Sequence, residues 1–262
     1  SLNSAVFNSA RVIGPSIGGI VVALIGEGWC FLVNAVSFLG FFACFLLIRF
    51  PSITHAKPTA PWRELVDGLR YAHHTVALRM LLLNSGAVNL TAAPLIVLAP
   101  VFADAIFHRG SRGLGFLMSA MGLGAVIGTL SLARRSNVHG LAKVAVTSSF
   151  AMSIAVMAYA GSPAFWVTVF VAAGVGFSIF RQNASANTLI QTLVKEEYRG
   201  RIMSLYSMMA IGMLPVGSLA AGIMAEHFGA RITVFCSGIL CLAAALVIYR
   251  NRSHLEAVKE QE

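Results

Sequence analysis

Gly14-Pro15-Ser16-Ile17-Gly18-Gly19 lies inside an apolar stretch of helix length, Val6–Ile25. Gly14 and Gly18, four residues apart, leave a groove that a second helix backbone can approach, while Pro15 withdraws one backbone donor and bends the helix. Two readings follow from the hexapeptide alone: a helix pair that moves inside a membrane, or a close-packed crossing with no moving role.

Outward from this stretch the chain stays apolar. Hydrophobic residues make up 57% of its 262 residues and charged residues 11%, and the mean hydropathy is +0.79, far outside the range of soluble domains. The fold class expected is an all-α polytopic membrane protein. Eight runs are long enough to cross a hydrocarbon core of about 30 Å as helices: Val6–Ile25, Trp29–Ile48, Leu78–Ala103, Leu114–Ala133, Leu141–Tyr159, Ala164–Leu193, Ile202–Ala225 and Ile232–Tyr249. Pro94 and Pro100 mark expected kinks in the third run. Short links such as Gly161-Ser162-Pro163 permit only antiparallel hairpins.

The stretch Phe50–Ala77 differs, with Pro51, Pro58 and Pro61 ahead of an amphipathic helix. Trp62, Leu65, Val66 and Leu69 share one side of it, and Arg63, Glu64, Asp67 and Arg70 lie elsewhere, a pattern that suits a helix on a membrane surface. With the first span running outward, 15 of the 19 basic residues fall on one side of the membrane and 3 on the other, with Arg181 inside a span. That asymmetry puts both chain ends in the cytoplasm.

An offset of 200 residues superposes the first two spans on the last two, with Pro15 on Pro215, Ser37 on Ser237, Ala43 on Ala243 and Ile48 on Ile248. A repeat unit of six helices follows. The expected organisation is 1–49 as the last two helices of an N-terminal six-helix bundle, 50–77 as a cytoplasmic linker, 78–250 as a complete C-terminal bundle, and 251–262 as a cytoplasmic tail.

The formal net charge of +9 comes without a basic tract interleaved with aromatics, so no nucleic-acid partner is expected. The four cysteines form no CxxC pair and the seven histidines are scattered, so neither metal site nor cofactor is expected. No nucleophile and base stand in a recognisable pairing, and no catalytic residue is assigned.

None of the ten acids lies at the centre of a span; Asp104, at an outer helix end, is the nearest to a proton-coupling carboxylate. The polar groups inside the apolar runs are therefore the candidates for function. Asn183, Asn187 and Gln191 recur every four residues and make an amide stripe, costly against lipid. Arg181 is turned about 200° from Asn183, at 100° per residue, so the two cannot line one surface. It either binds an anionic substrate group or ties helices together. Asn84 and Thr91 share a face, flanked by Ser85 and Asn89, and either bind a ligand or bridge helices. Lys195-Glu196-Glu197-Tyr198-Arg199-Gly200-Arg201 alternates in sign. Glu197, Arg199 and Arg201 are candidates for a cytoplasmic gate, against the plainer reading of a solvated loop.

Four stretches together resemble the major facilitator superfamily, in its bacterial efflux branch that includes the enterobactin exporter. They are Asn8-Ser9-Ala10-Arg11-Val12-Ile13-Gly14-Pro15-Ser16-Ile17-Gly18-Gly19, Phe31-Leu32-Val33-Asn34-Ala35-Val36-Ser37-Phe38, Gly122-Leu123-Gly124-Ala125-Val126-Ile127-Gly128, and Arg199-Gly200-Arg201-Ile202-Met203-Ser204-Leu205-Tyr206. The resemblance implies a twelve-helix transporter of which this chain holds helices five to twelve, with Gly14, Pro15, Gly18 and Gly19 matching the antiporter motif of the fifth helix. It also implies a monomer in a bacterial inner membrane, exporting a small amphipathic molecule, drug or siderophore-like, in exchange for protons. The alternatives are a lipid or lysophospholipid flippase on the same scaffold, a non-transporting interaction subunit, or an inactive fragment.

Overall fold

A computed structural model describes residues 27–47, 61–133 and 140–251, and every regular element among them is a helix. Gly14, Pro15, Gly18 and Gly19, with the whole first expected span, lie outside the described residues. The chain divides into two compact units, Ser1–Pro61 and Trp62–Glu262.

The first unit contains α1 (Glu27–Leu47), whose apolar run Phe31–Leu47, shorter than the six membrane-length helices of the second unit, falls within the second expected span, Trp29–Ile48. Ser37 returns its hydroxyl to the Asn34 carbonyl at 2.7 Å. Ser237, its counterpart at the 200-residue offset, does the same to Val234 at 2.7 Å.

The second unit opens with α2 (Pro61–His74) and continues with α3 (Val76–Val101), α4 (Gly110–Ala133), α5 (Leu141–Gly161), α6 (Phe165–Leu193), α7 (Arg199–Ser207), α8 (Met213–Phe228) and α9 (Ala230–Arg250). Six helical spans among the described residues are long and apolar enough to cross a membrane: Val76–Ile106, Gly110–Leu132, Leu141–Ala160, Phe165–Leu193, Glu196–Phe228 and Ala230–Arg250. Two of them contain a π turn. Phe102–Ile106 follows Pro100, where the missing N–H and the ring favour a wider turn. Met208–Gly212 joins α7 to α8 inside what the hydropathy reads as one plain helix. Gly229, at φ 82, makes the tight turn from α8 into α9.

The main helix contacts pair off between two sets of three helices. Helix α4 lies on α6, α6 on α5, α5 on α9, α8 on α3 and α9 on α3. Exchanging α3, α4 and α5 with α6, α8 and α9 carries the α4–α6 contact onto α8–α3, and α5–α6 onto α9–α3, the internal symmetry of many transporter folds. Glycines make these crossings close. A Cβ on Gly124 would overlap the Ala173 carbonyl oxygen, one on Gly176 that of Met121, and one on Gly217 that of Leu90. In lipid, where apolar surface gives no drive for one helix to leave its solvent for another, such backbone approach supplies the packing.

Two apolar cores fill the bundle. One gathers Leu78, Leu81 and Leu82 of α3 with Ala145, Ala186, Ile190 and Ile202. The other gathers Val88, Leu95 and Phe102 with Met152, Val156, Val175 and Val234. Between them runs a buried polar layer: Asn84 and Ser85 on α3, Ser148 and Ser149 on α5, Gln182 and Ser185 on α6.

Candidate functional site

The polar layer is built from three helices whose registers are fixed by reciprocal hydrogen bonds. Asn84 Nδ2 donates to Ser149 Oγ at 3.1 Å, and the serine hydroxyl points toward Asn84 Oδ1 at 3.2 Å and the Ala145 carbonyl at 3.0 Å. Helix α3 is thereby tied to α5. Five residues further along α3, Asn89 Nδ2 donates to Asn183 Oδ1 at 3.1 Å, and Asn183 Nδ2 returns a bond to Asn89 Oδ1 at 3.3 Å. This second rung ties α3 to α6. Asn89 is held from behind by the Ser85 carbonyl at 2.7 Å, and the hydroxyl of Tyr206 on α7 donates to the Asn183 carbonyl at 2.9 Å. One amide pair thus joins α3, α6 and α7.

The other expected site residues are distributed around this pair. Asn84 is buried and engaged with α5, so it and Asn183 do not meet. Thr91 is buried, bonds back to Ala87 and Val88 of its own helix at 2.8 and 3.1 Å, and lines a cleft of about 220 Å³ with Gly217 of α8 and Ser237 of α9. Asn187 accepts from Gln191 along the amide stripe. Arg181 sits with its guanidinium 5.4 Å from the Phe177 ring, on the side of α6 that meets Gly124 and Gly128 of α4, while Asn183 meets α3. Asp104 is exposed in the π turn after α3.

Sequence reading singled out the 183, 187, 191 stripe and passed over Gln182, which is fully buried and finds no protein hydrogen-bond partner for either amide atom. The signal that points to it is a second polar line, Ser178, Gln182 and Ser185, at helical spacing on the inward side of α6.

At the other end of α7 the charged turn grips α2. Arg201 lies 4.0 Å from Glu64 and 3.9 Å from Asp67, and its guanidinium is 5.6 Å from the Tyr198 ring. Tyr198 stacks on Tyr71 of α2 with centroids 4.3 Å apart and planes within 1°. Arg199 pairs with Glu196 at 3.3 Å within the exposed turn, and Glu197 is exposed. The inward face of α2 is Leu65, Gly68 and Ala72, with Gly68 close over the Arg201 side chain. Trp62, Val66 and Leu69 turn away from the bundle. Leu65 therefore leaves the apolar group in which its hydropathy placed it, because small residues let α2 approach α7 on that side.

The ion pairs are half-exposed and contribute little, about 0.5 kcal/mol, so the ring stack is the stronger part of this contact. Tyr198→Leu is expected to weaken the docking of α2 by about 1 kcal/mol, speeding hydrogen exchange of the α2 amides about fivefold. Arg201→Gln should change it only about twofold. Exchange rates equal in Tyr198→Leu and the parent would contradict this ranking.

The family model of transmembrane secretion effectors, a branch of the major facilitator superfamily, matches residues 1–262. The chain belongs to the major facilitator superfamily. Its superfamily relatives include the staphyloferrin A transporter of Staphylococcus aureus, 27% identical over 256 residues, 95% of this chain and 62% of the relative. The multidrug efflux pump Tap of Mycolicibacterium fortuitum is 26% identical over 258 residues, 94% of this chain and 61% of the pump. The enterobactin exporter EntS of Escherichia coli is 25% identical over 249 residues, 92% of this chain and 59% of the exporter. The chain spans about three-fifths of the length of these relatives. Superfamily membership and the six apolar spans among the described residues make it a multi-pass membrane protein.

Proposed function

We propose that the protein is a secondary transporter of the bacterial cytoplasmic membrane that exports a small amphipathic molecule by alternating access, in exchange for protons. The observation that carries the reading is the match to the transmembrane secretion effector family along the whole chain, with the staphyloferrin A transporter and a multidrug efflux pump among the relatives. In this reading both ends are cytoplasmic, 50–77 links two bundles, and 78–250 is the complete C-terminal bundle. Asn183 and Asn187, partly exposed on α6, face the substrate pathway; Asn84, Thr91 and Arg181 shape it from α3 and the far side of α6. Glu197, Arg199 and Arg201 belong to a cytoplasmic gate whose resting contact is the grip on α2. Gly14, Pro15, Gly18 and Gly19 allow the first span to slide on its neighbour.

The test is accumulation of an amphipathic fluorescent cation and of a catecholate siderophore in efflux-deficient cells. Cells expressing the protein should retain less of one of the two, and a protonophore should erase the difference. Gly14→Leu, which adds about 1 kcal/mol of overpacking to one conformational state, should cut that efflux about fivefold at unchanged abundance. Accumulation unaffected by the protein, or an effect insensitive to the proton gradient, contradicts the proposal.

A further inference from the structure

Away from the α3–α6 amide pair, a groove of about 610 Å³ opens between α3 and α9. It begins at Val76, the first residue of α3, and at Asn251, just past the end of α9, and reaches Ala87. Eleven residues of helix rise about 16 Å, close to the depth of one leaflet of a hydrocarbon core about 30 Å thick.

Its chemistry changes along that length. At the mouth stand Arg79 and Asn251, beside the exposed Arg250. Arg79 is positioned by a bond of 3.4 Å from its guanidinium to the His73 carbonyl, which leaves other guanidinium donors to project. Below the mouth the walls are Met80, Leu83, Ala87, Ala244 and Val247, with one small alanine on each of the two helices. The floor carries the amide of Asn84, whose oxygen and one N–H are already engaged with Ser149. Among the described residues no acidic side chain lines the groove.

We infer that this groove holds one acyl chain of an anionic phospholipid from the cytoplasmic leaflet, with the phosphate at Arg79. A cation at the interface and an apolar slot one leaflet deep match that ligand and no compact polar solute. The inference takes its leaflet from the orientation proposed above. It does not depend on transport, and its test reads binding on the resting protein, so either idea can fail without the other.

The full chain, purified and stripped of lipid, is mixed with equal amounts of dioleoyl phosphatidylglycerol or dioleoyl phosphatidylethanolamine, and adducts are counted by native mass spectrometry. Phosphatidylglycerol should be retained about fivefold more, the discrimination one interfacial cation provides. Arg79→Gln, a change at the groove mouth, should bring the two lipids to parity. Ala244→Phe, which fills the slot without touching the cation, should lower retention of both while keeping their ratio. Equal retention of the two lipids by the parent chain, or adducts unchanged in both variants, overturns the inference.

Discussion

Gly176→Val is expected to abolish accumulation of the folded protein in the membrane, and Gly124→Val to do the same. On α6 a Cβ at Gly176 would stand inside the Met121 carbonyl oxygen; on α4 one at Gly124 would stand inside that of Ala173. The obstacle in both cases is backbone, which no rotamer change relieves, so α4 and α6 must separate along their whole crossing. Overpacking of this kind costs about 3 kcal/mol or more, a large share of a typical stability margin. The control lies two residues away on each helix: Gly174 and Gly122 face open space, and Gly174→Ala and Gly122→Ala should leave abundance and thermal stability unchanged or slightly raised. Monodisperse protein recovered in normal yield from Gly176→Val would show that the crossing is looser than its geometry.

The second large effect is expected at the amide rung. On the proposed function, in which Asn183 faces the substrate pathway, Asn183→Leu should lower efflux about thirtyfold, the loss of about 2 kcal/mol of substrate interaction, while stability falls by only about 1 kcal/mol, as usual for hydrogen bonds between membrane helices. The double variant Asn89→Leu/Asn183→Leu separates binding from bridging. Removing both partners of a buried hydrogen bond is nearly neutral for stability, so thermal stability should recover toward the parent value while efflux stays as low as in the single variant. Recovery of efflux along with stability would make the rung a structural tie and move the substrate elsewhere. Reconstituted transport and thermal unfolding on the same preparations decide it.

Much of this architecture was legible in the residues. Hydropathy located the third to eighth spans, and the turn at Gly161-Ser162-Pro163 identified the α5–α6 hairpin. What hydropathy could not convey was partnership. Asn84 and Asn89 are both plausible amides on one helix, and only the register of α6 decides that Asn89 meets Asn183 while Asn84 turns to Ser149. Gly68 and Ala72 have almost no hydropathic weight, yet their smallness chooses the face by which α2 docks and leaves Trp62 outside. The π turn at Met208–Gly212 is a local widening within an apolar helix, invisible to a periodicity count. It lets Tyr206 reach α6 while Gly217 reaches α3, although the sequence reads Ile202–Ala225 as one rod. The family motif at Gly14–Gly19 is the reverse case, plain in the letters and outside the described residues.

Arg181, Gln182 and Asn183 stand consecutively in the middle of α6, with Phe165–Leu193 as its bounds. For a nascent chain leaving the ribosome this triplet is the least favourable point of the bundle, since a central arginine alone opposes insertion by about 2.5 kcal/mol. Helix α6 therefore has little reason to enter the bilayer by itself. It comes to rest only where Asn89 of α3 already waits for Asn183, so that earlier segment serves the newborn protein as a reception site before it serves the finished one.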